Sequence, residues 1–243
     1  MRRLPHLLAF VSLTIFPAVA AAQMAQGPPT PLVVDLSKVA VGSWATYTTT
    51  MANNKMATKV ALVKHGPSGT TLEMSVEGGM VAKAGNVTTQ MILSPGANAS
   101  VQKMIVQVGT NDPMEMPLQG GSTQGFVKPD PKTLVKEETV KVAAGSFKTK
   151  HYRISTAPGD IADFWVSDKV APIGVVKMEM NQKSNPMITG PIKMELASVG
   201  KEAKSSISKP AKPFDQTTLM KQMMGGAGEP AAGGAGQAPA PKK

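Results

Sequence analysis

The chain has 243 residues, with 26 lysines and arginines against 16 aspartates and glutamates, and it has no cysteine. The lack of cysteine excludes disulfides, the lipidated cysteine of a bacterial lipoprotein and the cysteine-based zinc sites. After the first 22 residues the single arginine is Arg153, and because base and phosphate readers rely on the planar fork of arginine, we expect no nucleic-acid binding.

Residues 1–22 have the pattern of a secretory signal peptide. A pair of arginines gives a positive start, an apolar run from Leu7 to Phe16 follows, and small residues end at Ala22. The apolar run is shorter than the roughly 20 residues that cross a bilayer, so we expect export and cleavage near Ala22 rather than a retained anchor. The sequence therefore predicts a periplasmic or secreted protein without a transmembrane segment in the mature chain.

Residues 23–38 form an N-terminal lead-in, and residues 39–200 consist of short alternating runs broken by turn residues. In TLEMSVE, for example, Leu72, Met74 and Val76 alternate with polar neighbours, which is the period of a strand with one buried face. About ten such runs occur at the spacing that is typical of sandwiches and barrels. The pattern predicts a mainly β domain of antiparallel strands with few short helices.

The composition changes after residue 200. Residues 201–213 and 225–243 are rich in lysine, proline, glycine, alanine and serine, with too little apolar surface to offset chain entropy. We interpret the first stretch as a linker and the second as a disordered tail. Between them, DQTTLMKQMM predicts a short helix over residues 215–224 with its leucine and methionines on one side. A helix of this length is marginal alone, so it needs a surface to pack on.

No catalytic or metal-binding pattern is present in the sequence. His65 and His151 are the histidines that remain after the leader, and neither belongs to a cluster with ligand spacing. Asp160, Asp163 and Asp168 follow His151, but turn and strand-edge positions explain them better than a pair of catalytic carboxylates. We therefore expect no enzyme activity, no cofactor and no metal site.

Methionine is unusually frequent, with 17 residues in the chain. Met114 and Met116, and likewise Met178 and Met180, are spaced by two, so each pair points to one side of its strand. Thioethers can hold Cu(I), but methionine is also a flexible apolar filler that suits an adaptable ligand surface. Because neither histidine nor a dense methionine tract accompanies these pairs, we favour filler or pocket lining and keep Cu(I) binding as the weaker alternative.

Residues 140–180 hold four of the eight aromatic residues that follow the leader. Residues 147–154 are predicted to pair with residues 161–168 across a proline-glycine turn. Phe164 and Trp165 are adjacent in the second strand and face opposite ways. This hairpin should therefore be covered on both sides, by the core on one side and by a helix, loop or lid on the other.

Short motifs in this segment and in the first long strand carry a resemblance to known proteins. They are Gly145-Ser146-Phe147 at the start of a strand, Trp165 on the next strand, Val170, Pro172, Gly174, Val176 and Lys177 in VAPIGVVKME, and Trp44 and Tyr47 in GSWATY. Together they resemble the LolA/LolB-like lipoprotein-carrier superfamily and its uncharacterised exported relatives. The resemblance covers about residues 39–200 and implies an antiparallel half-barrel, that is, an incomplete barrel around a hydrophobic cavity that binds acyl chains.

The sequence thus predicts a noncatalytic exported domain that binds a lipid, a lipoprotein acyl chain or another hydrophobic ligand in a half-barrel groove. We expect seven residues to line or flank the groove: Trp44, Met74, Met91, Met104, Trp165, Met178 and Met194. The alternative is an envelope structural or interaction protein with a filled core, whose basic tail contacts anionic surface polymers. A filled core and an open groove would show the same strand pattern, so the sequence leaves both open.

Overall fold

The computed structural model describes residues 30–51, 54–67, 69–95, 99–118, 125–157, 160–181 and 190–223. The predicted signal peptide and the predicted disordered tail lie outside these ranges. Within them the protein is mainly β, as predicted, with ten strands of seven or more residues, four shorter strands and one α-helix. No helix in these ranges has the length and apolar character needed to cross a membrane.

The strands follow one another with few other elements between them. The first eight are β1 (Thr30–Pro31), β2 (Trp44–Met51), β3 (Asn54–Gly66), β4 (Gly69–Gly78), β5 (Asn86–Leu93), β6 (Ala99–Val108), β7 (Met114–Met116) and β8 (Gly125–Val127). The remaining elements are β9 (Leu134–Val142), β10 (Gly145–Ala157), β11 (Asp160–Val166), β12 (Val175–Asn181), β13 (Ile192–Gly200), β14 (Lys212–Pro213) and helix α1 (Gln216–Met223). Short 3-10 helices occur at Leu36–Lys38, Gly79–Ala84 and Pro131–Thr133.

All fourteen strands of the described ranges belong to one sheet. Its main path has the order β1-β8-β6-β5-β4-β3-β2-β13-β12-β11-β10-β9, and β7 and β14 add to it beside β6. Strands β2 to β6 and strands β9 to β13 are two antiparallel meanders, which the pairing of β2 with β13 joins. In the described part of the chain β1 and β9 end the sheet without pairing to each other, so the sheet is an open half-barrel.

The alternation of side chains gives this sheet a concave apolar face and a convex polar face. In β2, Ala45 and Tyr47 are fully buried on the concave side, and their cross-strand partners Val60, Thr58 and Leu196 face the same way. The hydroxyl of Tyr47 donates a hydrogen bond to the carbonyl of Val175 at 3.1 Å, and burial raises the pKa of this phenol. The concave face is therefore the core of the domain.

Two segments of the chain lie against opposite ends of the concave face. Residues 32–39, which we call the lead-in segment, place Leu32, Leu36 and Val39 in the main core. At the other end, Leu219 of α1 is 5% exposed and packs with Val87, Val106, Val108 and Met114. The short helix thus has the packing surface that its length requires.

The β9–β10 hairpin bends back toward the centre of the sheet at its tip. The backbone N–H of Ala144 donates to the carbonyl of Leu196 in β13, although β11 and β12 lie between β10 and β13 in the sheet order. Val140, Val142 and Phe147 pack against the main core. This bend increases the curl of the sheet beside its β9 edge.

Residues 201–214, which we call the C-terminal strap, follow β13 and are attached to the sheet by hydrogen bonds. The indole N–H of Trp44 donates to the carbonyl of Lys201, and Ser205 and Ser206 bind Glu73 on the convex face. Hydrogen bonds from Lys212 and Lys209 lower the pKa of Asp112 to about 2. The strap then adds β14 beside β7 and leads into α1, so it passes from the convex face around the β7 side of the sheet.

Candidate ligand groove

A wide opening lies between the two ends of the half-barrel. Because β8 is near one end of the sheet and β9 is at the other, residues 128–133 must cross from one side to the other. Below this crossing is a groove of about 1460 Å³, which we call the mouth groove. It is lined by residues 32–37 of the lead-in segment, 65–66, 69–70, 94–95 and 99 of the β3–β4 and β5–β6 turns, 128–129, 131 and 134 of the crossing, and 137–139, 148–150, 152 and 166–168 around β9 to β11.

The floor of the mouth groove is apolar. Leu32 and Leu36 of the lead-in segment, Tyr152 of β10 and Val166 of β11 line it, and each is buried and belongs to the main core. A ligand that lies on this floor would therefore contact the core of the domain. Volumes of about 300–1,000 Å³ are usual for small-molecule sites, so the groove is large enough for a lipid tail.

The rim of the mouth groove is polar. Lys128, Lys148, Lys150 and Glu137 are exposed, and Lys150 forms an ion pair with Glu137 at 3.7 Å. Exposed ion pairs of this kind contribute little to stability. They keep the entrance hydrated above an apolar floor, which is the arrangement that an amphiphile with a polar head and an apolar tail requires.

His65 joins the lead-in segment to the wall of the groove. Its Nε2 donates to the carbonyl of Val39 at 2.9 Å, and its Nδ1 lies 3.1 Å from the hydroxyl of Thr70. Within the same segment, Asp35 caps the 3-10 helix by accepting a hydrogen bond from the backbone N–H of Ser37. The lead-in segment is thus bonded to the groove wall at Val39 and packed into the core through Leu32 and Leu36.

The structure places the five predicted methionines on the concave face. Met74, Met91, Met104, Met178 and Met194 are all half-buried and pack against the main core. None of them is among the residues that line the mouth groove. They therefore form concave apolar surface next to the core and not the walls of the opening itself.

The structure does not bring the two predicted tryptophans to the concave face. Trp44 precedes the buried Ala45 and so points to the convex side, where Lys59 lies 5.1 Å from the centre of its ring. Trp165 likewise alternates with the buried Phe164 and Val166. Neither tryptophan is among the residues that line the mouth groove, although Glu138, which binds the indole of Trp165, lies at its edge.

Trp165 is the centre of a polar cluster on the convex face. Its ring stacks on His151 with centroids 4.3 Å apart, its indole N–H donates to Glu138 at 2.8 Å, and Lys177 lies over the other side. The hydrogen bonds from Trp165 and then Lys136 hold the pKa of Glu138 below its usual value. The convex side of the β10–β11 hairpin therefore carries side chains of the sheet itself, from β9, β10 and β12, where the sequence suggested a helix, loop or lid.

His151 lies between two carboxylates of this cluster, with Asp163 in close contact and Glu138 at 3.8 Å from its Nδ1. Nε2 of His151 is 2.6 Å from Asp163, which also accepts two hydrogen bonds from Arg153. Burial alone would raise the pKa of Asp163, but the bonds from Arg153 and His151 outweigh it and lower the pKa. Because His151 is only 5% exposed and is stacked under Trp165, the pair faces neither the mouth groove nor an open cleft.

A metal centre built on acidic or histidine ligands is not found in the part of the chain that the structure describes. There, no three histidine, aspartate or glutamate side chains converge as ligands. Of the three aspartates noted after His151, Asp163 is paired as above, Asp160 is buried and Asp168 lies exposed at the mouth groove.

Compared by sequence, the chain matches no protein family and no curated protein. Compared by structure, it is similar to the hypothetical protein CT021 of Chlamydia trachomatis, with 13% identity, a TM-score of 0.42 and coverage of 74% of this chain and 96% of that one. A provisionally described lipoprotein of Parabacteroides distasonis has 14% identity, a TM-score of 0.34 and coverage of 71% and 100%. A provisionally described exported protein of Bacteroides fragilis with a YmcC-like fold has 14% identity, a TM-score of 0.31 and the same coverage. Similarities this distant carry no argument about function, and the resemblance to LolA/LolB-like carriers stays a prediction.

Proposed function

We propose that this chain is a noncatalytic exported protein, of the LolA/LolB-like kind, that binds a lipid, a lipoprotein acyl chain or another hydrophobic ligand in its half-barrel. The mouth groove is the observation that carries this proposal, because it joins an apolar floor to a hydrated rim. Burying apolar carbon contributes about 0.8 kcal/mol per methylene, so a tail that covers only part of the floor would bind measurably. The polar head of the ligand would stay at the rim, beside Lys148 and Lys150.

One observation favours the alternative of an envelope interaction protein with a filled core. The lead-in segment places Leu32, Leu36 and Val39 inside the half-barrel, so part of the interior is occupied by the chain itself. In that case the basic tail would make the contacts, with anionic surface polymers as partners. Native mass spectrometry of the mature protein separates the two, because a carrier retains acyl ligands and a filled scaffold does not.

Leu134→Glu is expected to weaken binding of a dansyl-labelled fatty acid by about 10-fold, which corresponds to about 1.4 kcal/mol. Leu134 is 38% exposed and lines the mouth groove, so the variant places a carboxylate where the apolar tail would pass without disturbing the core. The dissociation constant is measured by fluorescence titration, with the fold checked by circular dichroism.

Val135→Glu is the matched control for this substitution. Val135 is the next residue of the same strand and is 49% exposed, but it does not line the mouth groove. The Val135→Glu variant should bind the labelled fatty acid with the same dissociation constant as the wild type. Equal losses in the two variants, or no binding by the wild type, would contradict the proposed function.

A further inference from the structure

A patch of methionines covers the concave face of β4 to β7. Met91 of β5 is the direct cross-strand partner of Met104 in β6, and Met104 is the direct partner of Met116 in β7. Directly paired residues in antiparallel strands point to the same face. Met114 and Met74 lie one step away on that face, beside Val106 and Thr89. Four strands thus bring together methionines that are dispersed over 43 positions of the sequence (74 to 116, both counted).

The three central methionines are placed where their sulfur atoms can meet. Neighbouring strands are about 4.8 Å apart, so Met91 and Met116 flank Met104 at one strand spacing each. The unbranched thioether side chain has three rotatable bonds and adapts to irregular surroundings. Thioether sulfur is a soft ligand that selects Cu(I) over the hard divalent cations.

These methionines are less buried than the other residues of the same cross-strand row, which distinguishes them from methionines that only fill a core. The row continues from Met91 to Leu72 and Leu62, and both leucines are fully buried. Met91, Met104 and Met116 are half-buried, so methionine occupies the accessible end of a row whose packed end is leucine. Met104 also packs against the cluster that contains Leu219 of α1, which shields the patch on that side.

We propose that Met91, Met104 and Met116 form a binding site for a soft monovalent cation, Cu(I) or its analogue Ag(I). The site is independent of the proposed lipid function, because no methionine lines the mouth groove. The chain contains no cysteine, so thiolates cannot compete for the ion. The half-buried position leaves the ion an entry path, and the apolar surroundings keep water from replacing the sulfur ligands.

The test is a Cu(I) titration of the mature protein under anaerobic, thiol-free reducing conditions, with bicinchoninate as the competing chelator. The wild type should take up one equivalent. Met104→Leu removes the central sulfur at nearly constant volume, which cores tolerate well. Met104→Leu should lower the affinity for Cu(I) by about 100-fold. Loss of a residue that only supports a metal ligand already lowers metal affinity by about 10- to 100-fold, and Met104 is proposed as a ligand itself. Met91→Leu should have a similar effect.

Met194→Leu is the matched control. Met194 is half-buried on the same concave face and pairs with Met178 across the strand, but the other direct partners of these two residues are Thr49 and Phe164, so no third methionine is directly paired with either. The affinity of Met194→Leu for Cu(I) should remain within about 3-fold of the wild type, because the pair of Met178 and Met194 is not part of the proposed site. In a parallel Ag(I) titration, the ε-methyl NMR signals of the three proposed ligands should shift together while those of Met178 and Met194 stay in place.

Three outcomes would overturn the site. The wild type could take up no Cu(I) against bicinchoninate, Met104→Leu could bind as tightly as Met194→Leu, or Ag(I) could shift other methyl signals instead. Thermal unfolding of each variant is recorded, and the methyl shifts of the wild type decide the question even if a variant fails to fold.

Discussion

Gly69→Ala is expected to destabilise the domain by roughly 4 kcal/mol or more, a loss in the range of the most damaging single substitutions. Gly69 begins β4 with a φ of +124°, and a Cβ at this position would lie 1.8 Å from the carbonyl oxygen of Leu93. That oxygen belongs to the backbone of the neighbouring strand and cannot rotate away. The methyl group would therefore separate the ends of β4 and β5 at the wall of the mouth groove.

Gly190→Ala separates the cost of the clash from the cost of a positive φ. Gly190 has a φ of +86°, but among the described residues no heavy atom lies within 4 Å of a Cβ built there. Only the conformational cost of about 1–2 kcal/mol should appear. Both free energies of unfolding are measured by urea denaturation followed by circular dichroism. Similar losses in the two variants would show that the backbone contact between Gly69 and Leu93 does not matter.

The strand pattern could be predicted from the sequence because alternation is a local property. Leu72, Met74 and Val76 alternate with polar residues whichever strands lie beside them, and all three face the concave side. The β2–β3 hairpin follows the same signal, since GSWATYTTTM and KMATKVALVKH flank the short turn ANN, and Trp44 to Met51 pair with Ala61 to Asn54. Periodicity and turn residues within about ten positions determine such features.

The sequence of β2 carries a signal that places Trp44 on the convex face, although Trp44 was predicted to line or flank the groove. Trp44 shares its side of β2 with Thr46, Thr48 and Thr50, whereas Ala45 and Tyr47 share the other side. A polar row marks the solvent face, so alternation places Tyr47 inside and Trp44 outside.

Contacts between distant segments could not be predicted in this way. The crossing by residues 128–133 follows from the positions of β8 and β9 in the sheet order, which no local pattern contains. The convergence of Met91, Met104 and Met116 depends on the register of three strands. The lysine-rich and serine-rich composition of the strap is typical of a linker, and only the position of Glu73 on the convex face shows what holds it.

Glu73→Ala is expected to release the strap and to cost about 2–3 kcal/mol. The Glu73 side chain is almost fully buried and accepts hydrogen bonds from Gln90, Ser205 and Ser206, the last through both its backbone N–H at 3.0 Å and its hydroxyl at 2.8 Å. Alanine removes the acceptor of the Ser206 N–H and hydroxyl, while Gln90 and Ser205 keep their other acceptors, Ser205 and the carbonyl of Ile207. The protection of the Ser206 amide against hydrogen exchange should fall by roughly 30-fold or more, because each 1.4 kcal/mol is a factor of ten.

Glu77→Ala is the matched control for this loss. Glu77 lies two residues further along β4 on the same convex face, but it is exposed and binds no part of the strap in the described structure. Its removal should change the protection of the Ser206 amide by less than about 2-fold, as for surface substitutions generally. A comparable loss of protection in both variants would mean that the charge of the face, and not the Glu73 anchor, holds the strap.

The anchor should also make the strap sensitive to acid. Burial alone would raise the pKa of Glu73, but the hydrogen bonds from Gln90, Ser206 and Ser205 outweigh it and hold the pKa below the ordinary value of 4.5. A carboxylate with a lowered pKa in the folded state contributes its full stability above the unfolded pKa and loses it as the pH falls through the folded pKa. Protection of the Ser206 amide in the wild type should therefore be constant above about pH 5 and decline below about pH 4, whereas in Glu73→Ala it should be low throughout. A wild-type profile parallel to that of Glu73→Ala would place the strap's main attachment at Asp112 and β14 instead.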